Sequence, residues 1–147
     1  MKHHVVLRVV AKMIIPVIML FALYVQFHGD YSPGGGFQAG VIFAASIILY
    51  ALVFGLEAAE RAAPPAVLRV LSVSGVLIYG GVGVVTMFLG GNFLDYNVLA
   101  HDPRHGQHLG ILLVELGVGL TVASTMLLIY FSFAGRPSPA AAGEDAS

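Results

Sequence analysis

Cysteine and tryptophan are absent, and charge is scarce: seven Lys and Arg and eight Asp and Glu stand among 147 residues. Without cysteine there are no disulfides and no thiolate metal sites, and the redox compartment cannot be read. So few charges cannot cover a compact water-soluble body of this length. A net charge of −1 and the lack of a dense Lys/Arg run exclude nucleic acid as a partner. What is present is apolar. Hydrophobic residues make up 58% of the chain and the mean hydropathy is +0.88, so lipid must replace water around much of it.

A bilayer core of about 30 Å needs roughly 20 mostly apolar residues at the helical rise. Four segments meet that length: Val9 to Phe27, Phe37 to Leu56, Val70 to Leu89 and Leu109 to Phe133. The expected fold is an all-α membrane protein of four transmembrane helices with short loops, a single domain over residues 1–135. Residues 136–147, rich in Ala, Pro and Ser and ending near Glu144 and Asp145, read as a disordered cytoplasmic tail. The first apolar run is too long for a cleaved signal and lacks a small-residue cleavage pattern. Lys2, Arg8, Lys12, Arg61, Arg69 and Arg136 fall on one side of the four spans and Arg104 alone on the other, which puts both termini in the cytoplasm. Arg8, Lys12 and Arg69 lie near cytoplasmic ends, where long stems reach the headgroups. Lys12, the deepest, could instead pair with a carboxylate on a neighbouring helix.

Helices in lipid gain nothing from hiding apolar surface from each other, so their contact faces use small residues. Such stripes are visible at Gly36, Gly40, Ala44, Ala51 and Gly55, at Ser72, Gly75, Tyr79, Gly83 and Thr86, and at Gly110, Gly117, Thr121 and Ser124. Glu115 lies off the last stripe, rotated by roughly 200° from Gly117 and in line with Gly119 and Val122. It sits about 9 Å inside the end of its span, where a carboxylate should not face lipid. If the Gly117 face packs inside the subunit, the Glu115 face is expected to meet another protein or a hydrated cavity. A half-buried carboxylate there could carry protons or cations; it could equally reach surface water or pair structurally with an Arg.

The first outer loop reads HGDYSPGGGFQAG, from His28 to Gly40. Pro33 fixes φ, and Gly34, Gly35 and Gly36 allow positive φ and close backbone approach. Phe37 then opens a helix with an aromatic at the interface, followed by Gln38. A phosphate-binding loop does not fit, since no Gly-Lys-Ser/Thr follows. This stretch resembles the signature of the B subunit of multi-subunit Na+/H+ antiporters of the Mrp (Mnh) type, and the likeness extends from Lys12 through the fourth span. His28, Gly29, Pro33, Gly34, Gly35, Gly36, Phe37, Gln38 and Gly40 fall on that motif; the family pattern at Asp30 and Tyr31 is less defined.

The resemblance implies an accessory subunit of the plasma membrane, embedded beside large complex-I-like subunits and other small membrane subunits that together exchange Na+ for H+ under the proton motive force. It implies no cofactor and no resident metal. The motif residues are expected to fix two helix ends against neighbouring subunits beside the ion route, and Glu115, Lys12, His28 and Asp30 are the candidates for that route. His28 next to Asp30 could relay protons or simply be solvated. His101, His105 and His108 have one-face spacing, but Pro103 and Gly106 are expected to interrupt a helix there, which disfavours a metal site. Related subunits occur in membrane-bound hydrogenase-type complexes, an alternative setting. A small self-assembling multidrug exporter is the other alternative, disfavoured because its essential Glu belongs in the first span. No positioned nucleophile and base, cofactor fingerprint or metal quartet supports an enzyme.

Overall fold

The computed structural model describes residues 5–29 and 35–136. The segments read as spans form four long helices: α1 (Val5–Phe27), α2 (Gly36–Phe54), α4 (Pro65–Phe88) and α5 (Pro103–Ala134). Each is long and apolar enough to cross a bilayer. α1 remains helical across Pro16, which removes one bond from the ladder. A short helix, α3 (Leu56–Ala62), follows α2 after Gly55, whose φ of 102° ends the α2 spiral. Its Glu57 and Arg61 form an exposed i,i+4 pair. The connection between the second and third apolar runs is therefore partly helical, with Glu57 to Ala62 in α3.

α4 and α5 begin earlier than hydropathy suggests, each with a proline in its first turn. A proline there gives up only an N–H that lacks a helical acceptor anyway. Asp102 caps α5, its Oδ1 accepting from the Arg104 N–H at 3.0 Å. Pro103 and Gly106 therefore start and continue a helix that they were expected to interrupt. Gly106 is tolerated because it lets the 3-10 turn Tyr96–Leu99 lie against the α5 backbone; a side chain would meet the Tyr96 carbonyl.

α5 is the central helix. It packs along α4 on one side and along α2 on another, while α1 packs mainly on α2 and only grazes α5. Gly75 and Gly117 make the closest approach of α4 and α5: a methyl on Gly75 would stand 2.5 Å from the Gly117 carbonyl, and one on Gly117 2.8 Å from that of Gly75. Hydroxyls along this seam are satisfied. Thr121 donates to the Gly117 carbonyl at 2.9 Å, and Ser72 and Thr125 pair at 3.1 Å.

At one end of the bundle Arg8 and Lys12 of α1 lie over the Phe54 ring of α2, 5.2 and 5.8 Å from its centroid. Ala44, Ala51, Ala59, Leu68, Leu127 and Phe131 form the main core near the same end. At the other end the α4–α5 connection folds back on α4. Thr86, fully buried, donates to the Gly83 carbonyl and accepts from the Leu94 N–H at 3.0 Å, and the Phe93 ring fills the space left by Gly83. Leu94 takes a left-handed φ of 63° to make that bond. Burial first and the Tyr79 phenol second raise Tyr96 above the ordinary phenol range.

Candidate functional site: a carboxylate at the glycine loop

Three segments converge at the end of the bundle opposite Lys12. α1 finishes at Phe27, and the His28 ring stacks on Tyr24 with centroids 4.1 Å apart. The chain then turns through Gly29, and α2 starts from Gly35. Glu115 of α5, half-buried, fits between these two glycines.

Each glycine has its own reason to lack a side chain. A methyl on Gly29 would overlap both Glu115 carboxylate oxygens. Gly35 has φ of 128°, a conformation that side chains rarely adopt, and a methyl there would stand 2.9 Å from Glu115 Oε1. At Gly36 a methyl would run into the Glu115 backbone carbonyl. One turn on, a methyl on Gly40 would lie 2.8 Å from the Gly119 carbonyl and 2.9 Å from Val122 Cβ. The glycines are thus a mould around one turn of α5, and Glu115 is the side chain in that mould.

The electrostatics favour a carboxylate here. Gly35 is the N-cap of α2 and offers no side-chain cap. The first N–H groups of a helix lack internal acceptors, and its aligned peptide dipoles put partial positive charge at this end. Glu115 Oε1 beside Gly35 lies in that field. A carboxylate here can hold a proton or present oxygens to a hard cation.

The Glu115 face of α5 was expected to await another protein or a hydrated cavity. It is instead covered within the chain by α2 and the α1–α2 connection. Glu115 does align with Gly119 and Val122, and α5 has a second intramolecular face on that side. Gln38 and Phe37 are exposed, Phe37 at 64%, so the ring opening α2 points away from the chain's own core. Asp30, Tyr31, Pro33 and Gly34 lie outside the described residues. Lys12 belongs to the other end: fourteen residues of α1 separate it from Gln26, about 21 Å. His105 Nδ1 lies 3.5 Å from Asp102 Oδ2 on the exposed first turn of α5, and His101 and His108 are exposed as well. No three potential metal ligands cluster among the described residues.

One residue escaped the sequence reading. Gln26 of α1 is only 5% exposed; its Oε1 lies against Gly119, and its Nε2 has no hydrogen-bond partner among the described residues. The signal was a lone amide in an otherwise apolar stretch between Lys12 and His28.

Residues 6–128 match the family described as a domain related to the MnhB subunit of Na+/H+ antiporter. The chain belongs to the MnhB family. Proteins named "Putative antiporter subunit mnhB2" from Staphylococcus aureus strains Newman and USA300 are each 34% identical over 140 residues, covering 93% of this chain and 99% of theirs. The glycine mould and its carboxylate are therefore features of an accessory membrane subunit of a Na+/H+ antiporter, a transport protein. The antiporter setting is favoured over both the exporter and the hydrogenase-type complex.

Proposed function

We propose that this MnhB-type subunit holds a proton- or cation-accepting carboxylate, Glu115, at the outer end of the ion route of a multi-subunit Na+/H+ antiporter in the cell membrane. Both termini face the cytoplasm, as the distribution of Lys and Arg supports, which makes the glycine-loop end the outer end. Large complex-I-like subunits and other small membrane subunits complete the assembly and supply most of the transport machinery. Four helices with one half-buried carboxylate offer too few groups for an alternating-access cycle of their own.

The observation that carries this reading is the fit of Glu115 between Gly29 and Gly35 at the start of α2. A carboxylate kept solely for packing would need neither a helix N-terminus nor a φ reserved for glycine. His28, one residue from Gly29, and Asp30, from the sequence, are the neighbours able to pass protons to and from it. Phe37, exposed at the edge of the site, is a contact for a neighbouring subunit.

The test is Glu115→Gln in the complete antiporter, expressed in a host lacking its own Na+/H+ antiporters and measured in inverted membrane vesicles. Gln preserves the shape of the side chain, so co-purification of the other subunits should be unchanged. Exchange should fall by roughly tenfold or more as one proton-carrying group leaves the route. Normal exchange at every pH would reduce Glu115 to a structural anchor.

A further inference from the structure

α1 and α4 lean away from each other across the α2–α5 pair, leaving an apolar groove of about 420 Å3. Gly40, Gly119 and Ala123 are in its floor, with Leu23 and Gln26 on the α1 wall and Leu71 on the α4 wall. We propose that this groove seats a transmembrane helix of a neighbouring antiporter subunit, one that presents a hydrogen-bond acceptor at the level of Gln26. The inference rests on the accessory-subunit reading above.

One feature selects a helix over a lipid tail. The groove begins at Gln26, one residue from the end of α1, and reaches Pro64, just ahead of α4 at the opposite end. Along α5 it extends from Leu116 to Leu127, about 16 Å at the helical rise, a length that an acyl chain and a helix fill equally well.

That feature is Gln26. Gln26 is only 5% exposed, and its Nε2 has no acceptor among the described residues. A donor held away from water without a partner is costly, and a hydrocarbon tail has no acceptor to offer. The last torsion of Gln is soft, so the amide can turn its nitrogen to the groove when an acceptor arrives. A carbonyl, hydroxyl or carboxylate oxygen on the incoming helix would complete the pair.

The experiment places the photoreactive residue p-benzoylphenylalanine at Leu23 or at Leu71, on opposite walls, in a tagged chain co-expressed with the complete antiporter. Irradiated membranes are solubilised, and the adducts are identified by mass spectrometry. Both positions should cross-link to one and the same partner polypeptide. Adducts with lipid alone, with a second copy of this chain, or no adduct in a complex that carries its partners would overturn the proposal. If the unmodified chain purifies without any antiporter subunit, the accessory-subunit reading itself fails and takes the groove with it. If the partners are present but the groove positions mark lipid, only the groove proposal fails.

Gln26→Leu supplies the second measurement. Partner recovery should fall about three- to tenfold, as for loss of one interhelical hydrogen bond in a bilayer. The chain expressed alone should be at least as thermostable as before, because an unpaired buried amide has been removed. Gln26→Glu should recover still less partner, since an acceptor would then face an acceptor. A parallel loss of stability in the isolated Gln26→Leu chain would point to a purely internal role and overturn the assignment.

Discussion

The two packed faces of α5 do different work. Toward α4, Gly75 meets Gly117 and the hydroxyls of Ser72, Thr121 and Thr125 find partners within the seam. Toward α1 and α2, glycines again allow contact, but they enclose the Glu115 carboxylate, and the neighbouring Gln26 amide nitrogen has no acceptor among the described residues. Small residues serve both faces. The first face spends its close approach on holding two helices together, and the second uses it to keep polar groups at a helix start. A closed seam with its hydroxyls satisfied is what stability alone requires; an amide without a partner among the described residues and a half-buried carboxylate set the second face apart.

Substitutions that strike one face at a time should separate these roles. The largest effect is expected from Gly75→Val, which drives a branched side chain into the Gly117 carbonyl and Thr121 and separates α4 from α5. A loss of about 3 kcal/mol should show as a lower melting temperature in detergent, together with loss of the chain from the assembled antiporter. Retention of normal stability would mean that the α4–α5 seam can open without harm, and the contrast between the faces would fail.

Gly36→Ala should act on the other face. Its methyl meets the Glu115 backbone, so α5 must shift away from the start of α2. About 1–2 kcal/mol of stability should be lost, while Na+/H+ exchange per assembled complex falls further than the amount of complex does. Equal losses of exchange and assembly would make this a second packing face and remove its special standing. The smallest effect belongs to Lys12→Met. Lys12 lies over Phe54 at the far end, so stability should change by less than about 1 kcal/mol. Exchange should stay near normal in the same vesicle assay; a large loss would show that the route extends the length of α1.

The sequence made part of this legible. Apolar runs gave the spans because lipid imposes both length and composition, and the small-residue stripes of α2, α4 and α5 largely became contact faces. Gly36, Gly40, Ala44 and Ala51 are all buried, for example, while Gly55 is exposed where it ends α2. Helix starts were less legible. Pro103 reads as a breaker when judged by residue type, yet at the first turn a proline has no bond to break. The site was legible only in pieces: the glycine motif and Glu115 stood out separately, some eighty residues apart, and nothing in either announces that one encloses the other.

Composition and period by themselves determined four membrane spans, because the bilayer leaves few other ways to satisfy a polar backbone, and the glycine motif supplied the resemblance to the MnhB family. Tertiary structure alone decided that α5 is central, that its Glu115 enters the mould of Gly29, Gly35 and Gly36, and that Gln26 is buried with its Nε2 unpaired among the described residues. Helix periodicity fixes the angle of a side chain about its own axis. Which helix stands at that angle depends on the packing of all four, and close approach of two backbones is known only once both are in place.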